Sequence, residues 1–393
     1  MIARLSFVSS TMSASAMLLA LCFALASIGV SAQPTAGEDS RKILTVDHYV
    51  RHQSTVPSIA GQNVQIYVRE RVSAGTLTRG PGFGEQLVLF VHGAGTPAEV
   101  AFDVPYEDYS WMAYLASAGL DVFAMDMTGY GRSTRPHVMN DSCNLSTEQQ
   151  ASLSPMFVAE TCEPSYAQQT TTIASDWDDI DAVVEYLLAL RQADRVSLIG
   201  WSLGGPRAAG YAAQHPEKVA RIVLLAPAYR RAIASDPPAI MPAEGAAMTK
   251  QSHRDFISNW DRQVACANQY DRSVGDVVWS QMLASDPVGA TWGSGVRRAP
   301  RTTVWAWNKD MVAKTDTPML LVAGIHDKQI TPDLVEDLYE DLGSRQKILI
   351  DLGCASHNAM WERNHALLFE ASLQWLRQGT VNNLDRGVIR IGY

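Results

Sequence analysis

The stretch Val196 to Ala213, V-S-L-I-G-W-S-L-G-G-P-R-A-A-G-Y-A-A, constrains this chain more than any other. Val196 to Ile199 is a short apolar run of the kind that forms a buried strand. Gly200-Trp201-Ser202-Leu203-Gly204 follows without a spacer, and Pro206 with Ala208, Ala209, Ala212 and Ala213 reads as the start of a helix. G-x-S-x-G between a strand and a helix is a nucleophile elbow. The turn lifts Ser202 Oγ clear of the backbone. Gly200 and Gly204 stand where side chains would collide as strand and helix cross. The helix N-terminus behind the serine aims backbone N–H groups at any nearby anion. A serine needs more than a turn to react, so the rest of the chain must supply a base, an acid and a second oxyanion donor.

A chain of 393 residues has room for one large catalytic domain with a smaller one inserted. Its formal net charge of -9 argues against nucleic acid as a partner. Residues 1–32 read as a secretory signal peptide: Arg4 is the lone charge, Met17 to Val30 is almost unbroken apolar sequence, and Val30-Ser31-Ala32 is a small-residue cleavage site. The apolar run is short for a span, so no stable membrane anchor is expected after cleavage, and the mature protein is expected to be secreted or periplasmic. Removal of Cys22 leaves Cys143, Cys162, Cys266 and Cys354. An even count in an exported chain suggests disulfides. Cys143 and Cys162 share one insertion and form the natural first pair. Cys266 and Cys354 are then left to bridge, with two buried free thiols as the alternative.

The order of elements is that of an α/β protein. Lys42 to Tyr49 and Asn63 to Arg69 read as two early strands. Gln86 to Val91 is a continuous apolar run, as expected of a central strand buried on both faces. Asp121 to Met125, Arg221 to Leu225, Pro318 to Ala323 and Lys347 to Leu352 read as further strands, the last of them closing the sheet. Helices are expected over Trp111 to Ala118, after a capping box Ser175-Asp176-Trp177-Asp178, and over Asn358 to Arg377. Strands alternating with helices make a mostly parallel sheet covered on both faces. Two stretches break the alternation. Residues 134–174 form a lid-like insertion, with a helix or two expected near Thr147 to Ala159. Residues 230–316 are expected to be a mainly helical cap whose core takes most of Trp260, Trp279, Trp292, Trp305 and Trp307. The catalytic core is then 33–229 and 317–393.

Loops at the C-terminal ends of parallel strands gather at one edge of a sheet. His92-Gly93-Ala94-Gly95 follows the central strand, where glycines let the backbone approach a reacting carbonyl. The Ala94 and Leu203 N–H groups are the expected oxyanion donors, with His92 bracing the loop. Asp126 and Ser133, around the Gly129–Gly131 turn, are expected to hold loops by hydrogen bonds. Asp327 lies just past the strand Pro318 to Ala323, and the loop after Arg221 to Leu225 offers no carboxylate. Of nine histidines, His357 alone lies just past a late strand and free of the acid's own loop. Ser202, Asp327 and His357 are therefore the expected catalytic set.

On these residues the chain resembles the α/β-hydrolase superfamily. The motifs are His92 to Gly95, Asp126 to Ser133, Gly200 to Gly205, Gly324 to Asp327 and His357, in the chain order Ser, Asp, His. The resemblance implies an α/β-hydrolase fold and two-step acyl transfer on a small-molecule substrate, with carboxylic esters the leading class. It implies no metal and no organic cofactor. Epoxide hydrolases and haloalkane dehalogenases share the architecture but use aspartate where this chain has Ser202. An amidase or peptidase, a lactonase or a cofactor-free perhydrolase would use the same triad. A non-catalytic binding protein on this scaffold would be expected to lack a triad member. An iminopeptidase would need acidic cap residues, for which Asp236, Glu244 and Asp261 are the candidates.

Overall fold

A computed structural model describes residues 42–77, 86–153, 158–239 and 246–393. The signal peptide expected over 1–32 and Glu244 lie outside the described residues. The frame is a nine-stranded sheet. Its strands are β1 (Ile43–Gln53), β2 (Asn63–Ser73), β3 (Leu87–Val91), β4 (Asp121–Met125), β5 (Val196–Trp201), β6 (Val219–Leu225), β7 (Met319–Gly324), β8 (Lys347–Leu352) and β9 (Arg386–Ile391). Their spatial order is β1-β2-β4-β3-β5-β6-β7-β8-β9. β1 pairs antiparallel with β2, and β2 antiparallel with β4. Every other pairing is parallel.

Period-two alternation divides the central strand between two cores. Val88 and Phe90 of β3 join a cluster with Trp111, Leu115, Phe369 and Trp375. These come from α1 (Trp111–Ser117) and α7 (His365–Gln378). Leu87, Leu89 and Val91 face the opposite cluster with Ile180, Val184, Ala208, Tyr211 and Leu338. That face is covered by α2 (Ile173–Arg191), α3 (Gly204–Gln214) and α6 (Pro332–Asp341). Such double cover is why β3 reads as unbroken apolar sequence.

At several points the structure differs from what the sequence leads one to expect. β8 is not the last strand, since β9 adds a parallel edge beside it. α2 begins at Ile173, two residues before the expected cap. Thr172 is its N-cap, and the reciprocal box is closed by Ser175 rather than Asp178. Thr171 and Thr172 pair with Thr302 and Thr303, which keeps the chain extended up to the cap. The closing helix starts later than Asn358, because a 3₁₀ turn, Ala359–Trp361, precedes α7. Finally, the tryptophans of 230–316 do not share one cap core. Trp260 and Trp279 join the α1/α7 cluster, and Trp305 and Trp307 join the opposite one.

Residues 230–316 carry α4 (His253–Asp261) and α5 (Arg272–Ser285), and also an antiparallel pair of short strands, Met248–Gln251 with Arg297–Pro300. The segment is thus less purely helical than expected. The 134–174 insertion packs against it, with Met139, Leu145 and Leu153 meeting Met248, Trp292 and Val296. Within the insertion, Thr147–Ala151 is helical, and Cys143 is bridged to Cys162 with a Cα–Cα distance of 5.3 Å. Cys266 is bridged to Cys354 at 5.8 Å. Among the described residues no helix is long and apolar enough to cross a membrane.

Candidate active site

The β5–α3 turn places Ser202 at φ 57°, in the left-handed region that residues with a Cβ rarely adopt. Three backbone bonds hold it there. Ser202 N–H donates to Leu225 O at 3.0 Å, and Ser202 O accepts from Gly205 N and Ala228 N, both at 2.9 Å. A Cβ on Gly200 would stand 2.5 Å from Gly204 O, and one on Gly204 would overlap Val91 O. Only glycine at both positions lets helix, strand and the β3 terminus meet this closely.

The His92–Gly95 loop lies against the elbow. A Cβ on Gly93 would be 2.8 Å from Ser202 Cβ. Among the described residues, the N–H groups of Ala94 and Leu203 have no acceptor. His92 is buried, and burial with the nearby Arg207 guanidinium holds its imidazole far below the usual histidine range. Its Nε2 accepts from Met127 N at 3.0 Å, so Nδ1 carries the proton and donates to Gly93 O at 2.7 Å. A neutral ring therefore ties this loop to the one after β4. The latter loop is fixed in turn by Asp126, whose carboxylate accepts from Ala98 N at 2.7 Å and Arg132 N at 3.0 Å. Burial lifts Asp126 to about 7. Ser133 Oγ donates to Asp126 O at 2.6 Å and accepts from Tyr67 N at 2.8 Å.

Asp327 and His357 arrive from the ends of β7 and β8 and are both buried. His357 Nδ1 lies 2.8 Å from Asp327 Oδ2. The other oxygen, Oδ1, accepts from Gln329 N at 2.7 Å and Ile330 N at 2.9 Å, which fixes the plane of the carboxylate. Trp201, the residue before the serine, donates from Nε1 to His357 O at 2.8 Å. Elbow and histidine loop are thereby joined through a side chain. No hydrogen bond between Ser202 Oγ and His357 Nε2 is present in this structure. Bonds of this kind often tighten only around a bound substrate. The remaining histidines have other partners or places. His48 meets Glu70, His52 meets Asp179 and His365 meets Asp108. Asp261, one of the acidic candidates, is held by Tyr270 and Arg272.

Two parts of this arrangement escaped the sequence reading. Glu362, buried beneath the histidine loop, accepts from Ser356 N at 2.7 Å, Ser356 Oγ at 2.5 Å, Trp260 Nε1 at 2.7 Å and Gln269 Nε2 at 3.1 Å. It binds residues 260–269 to the loop that carries His357, beside the Cys266–Cys354 bridge. Arg207 of α3 is the second. Its guanidinium donates to Asp176 at 2.7 Å, to His92 O at 3.0 Å and to Gly93 O at 3.2 Å. Burial lifts Asp176 to about 6 against the pull of Arg207. A charged residue among the alanines and glycines of α3 was the available signal. Arg207→Met is expected to cost about 3–5 kcal/mol, because it strands a buried carboxylate. Thermal or urea unfolding measures the loss, and Arg207→Met/Asp176→Leu should recover much of it. A single variant as stable as wild type would contradict this account.

The profile of the α/β hydrolase fold matches residues 86–364. No curated protein sequence matches the chain. Among solved structures, the chain is similar to a serine hydrolase involved in carbazole degradation, with 16% identity and a TM-score of 0.49 over 84% of this chain and 99% of that one. It is similar to a bromoperoxidase from Bacillus anthracis, with 14% identity and a TM-score of 0.49 over 84% and 99%. It is also similar to naproxen esterase from Bacillus subtilis, with 15% identity and a TM-score of 0.47 over 85% and 92%. The matched span runs from β3 through the elbow to the loops of Asp327 and His357, and the chain belongs to the α/β-hydrolase fold family.

Proposed function

We propose that the protein is an exported serine hydrolase that cleaves carboxylic esters through an acyl-enzyme. The observation that carries this reading is the Asp327–His357 hydrogen bond at the sheet edge where Ser202 is held at positive φ. In the first step Ser202 Oγ forms a bond to the ester carbonyl carbon and its proton passes to His357 Nε2. The Ala94 and Leu203 N–H groups receive the oxyanion. As the C–O bond breaks, His357 returns the proton to the departing alcohol. Water repeats the sequence on the acyl-enzyme, yields the carboxylic acid and restores the serine. Asp327 keeps His357 in the Nδ1–H tautomer and steadies the imidazolium. Residues 230–316, with 134–174 packed against them, are the cap over this edge and set substrate choice. Two disulfides support an oxidising compartment, in keeping with a signal peptide over 1–32.

A fluorophosphonate probe should label wild type at Ser202, located by peptide mapping, and p-nitrophenyl acyl esters should be hydrolysed. Failure of both would overturn the reading. The base must be neutral to take the serine proton, so kcat/KM should decline as pH falls from neutral into the acid range. Circular dichroism over the same range separates this from unfolding. A flat profile would contradict an imidazole base.

A further inference from the structure

Arg297 stands against the His92–Gly95 loop, at the start of the strand Arg297–Pro300. A Cβ on Gly95 would be 2.6 Å from Arg297 Cζ. Gly95, at φ 86°, thus leaves the space that the guanidinium occupies. Gly93, two residues earlier, touches Ser202 in the same sense. Two residues of chain span at most about 7 Å, so the cation and the nucleophile flank one short stretch of loop.

The cation is only half-satisfied. Arg297 Nε and Nη2 donate to a neutral acceptor, Gln251 Oε1, at 3.1 and 2.9 Å. Among the described residues Nη1 has no acceptor and no carboxylate pairs with this side chain. Its neighbours differ. Arg298 holds Asp286 at 2.7 Å, Arg135 approaches the same carboxylate at 3.6 Å, and Arg207 holds Asp176. Asp286, whose charge reaches Arg297, is thereby engaged by two other guanidinium groups. Desolvation depresses Arg297 to about 10, outweighing the smaller opposing pull of Tyr130 and Asp286. A part-buried guanidinium held in place by an amide, with a free face and no anion, is costly unless something supplies one. Its planar fork matches a carboxylate.

We propose that Arg297 is a specificity residue that receives a second carboxylate on the substrate, so that the preferred esters are anionic. This inference rests on the hydrolase reading of Ser202. The carboxylate lies a few bonds from the scissile carbonyl, on the Gly95 side of the oxyanion loop. A neutral ester of the same shape leaves the guanidinium unpaired, and the site discriminates against it for that reason.

The test compares matched pairs. Mono-4-nitrophenyl glutarate is set against 4-nitrophenyl pentanoate, which places the charge on the acyl side. Carboxymethyl butyrate is set against propyl butyrate, which places it on the alcohol side. In at least one pair wild type should favour the anion, and Arg297→Gln should lower that kcat/KM ratio by roughly ten- to a hundredfold, the size of a hydrogen bond to a charged group. Arg297→Lys should retain part of the preference. A structural role, or a role on the oxyanion itself, would lower both members of a pair alike and leave the ratio unmoved. Unmoved ratios in both pairs overturn the proposal. Glutarate should also slow fluorophosphonate labelling of wild type and not of Arg297→Gln. If Ser202 labels but glutarate has no effect and the ratios do not move, Arg297 loses this role and the hydrolase reading stands. If Ser202 does not label and no p-nitrophenyl ester is hydrolysed, both fall.

Discussion

Ser202→Ala is expected to lower kcat by roughly four to six orders of magnitude while the fold stays intact. The residual rate comes from the oxyanion donors and from binding, which this change leaves in place. Stability should hardly move, for a local reason. Alanine keeps the Cβ, so the positive φ at this position is neither relieved nor worsened. The backbone bonds to Leu225, Gly205 and Ala228 do not involve the hydroxyl. Ester hydrolysis, fluorophosphonate labelling and thermal unfolding on one preparation check all three statements. A variant that keeps a tenth of wild-type activity would remove Ser202 from the chemistry.

Asp327→Asn is expected to lower kcat by about four orders of magnitude. The substitution preserves shape. The side-chain carbonyl can still accept from Gln329 and Ile330, which hold Oδ1 in wild type. The amide nitrogen then faces His357 Nδ1 and donates to it. That favours the tautomer with the proton on Nε2, which has no lone pair to receive the serine proton. The loss therefore falls on kcat, with KM little changed. Near-normal turnover would mean that another carboxylate orients the base.

How far the chain could be read depended on the range over which each feature is encoded. β3 to β8 are short apolar runs buried on both faces, and each was visible to within a residue or two of its ends. β9 was not. It is an edge strand, R-G-V-I-R-I, whose side chains alternate between exposed and half-buried. Nothing in it resembles the unbroken runs of the interior. The start of α2 was misplaced because Ser175 is a strong cap signal in its own right, and only the pairing of Thr171–Thr172 with Thr302–Thr303 reveals the true boundary. Ser202, Asp327 and His357 could be picked out as candidates because each sits at a fixed offset from a strand end. Arg207, Glu362 and Arg297 could not. Their partners lie on other elements, so even where a charge stands out, as Arg207 does among the small residues of α3, the chain does not say what it pairs with. The tryptophans illustrate the same limit: their number announced burial, but not which of the cores would receive them.

The bridge from Cys266 to Cys354 carries a consequence for how the protein reaches its working state. Cys354 lies three residues before His357 and holds φ at 49°, a conformation that suits glycine. Glycine there would ease the backbone and forfeit the bond. The residue there is cysteine instead, and the covalent tie runs from the His357 loop to the segment that also contacts Glu362. A copy kept reduced carries Ser202, Asp327 and His357 and yet lacks the tie that secures the loop on which His357 lies.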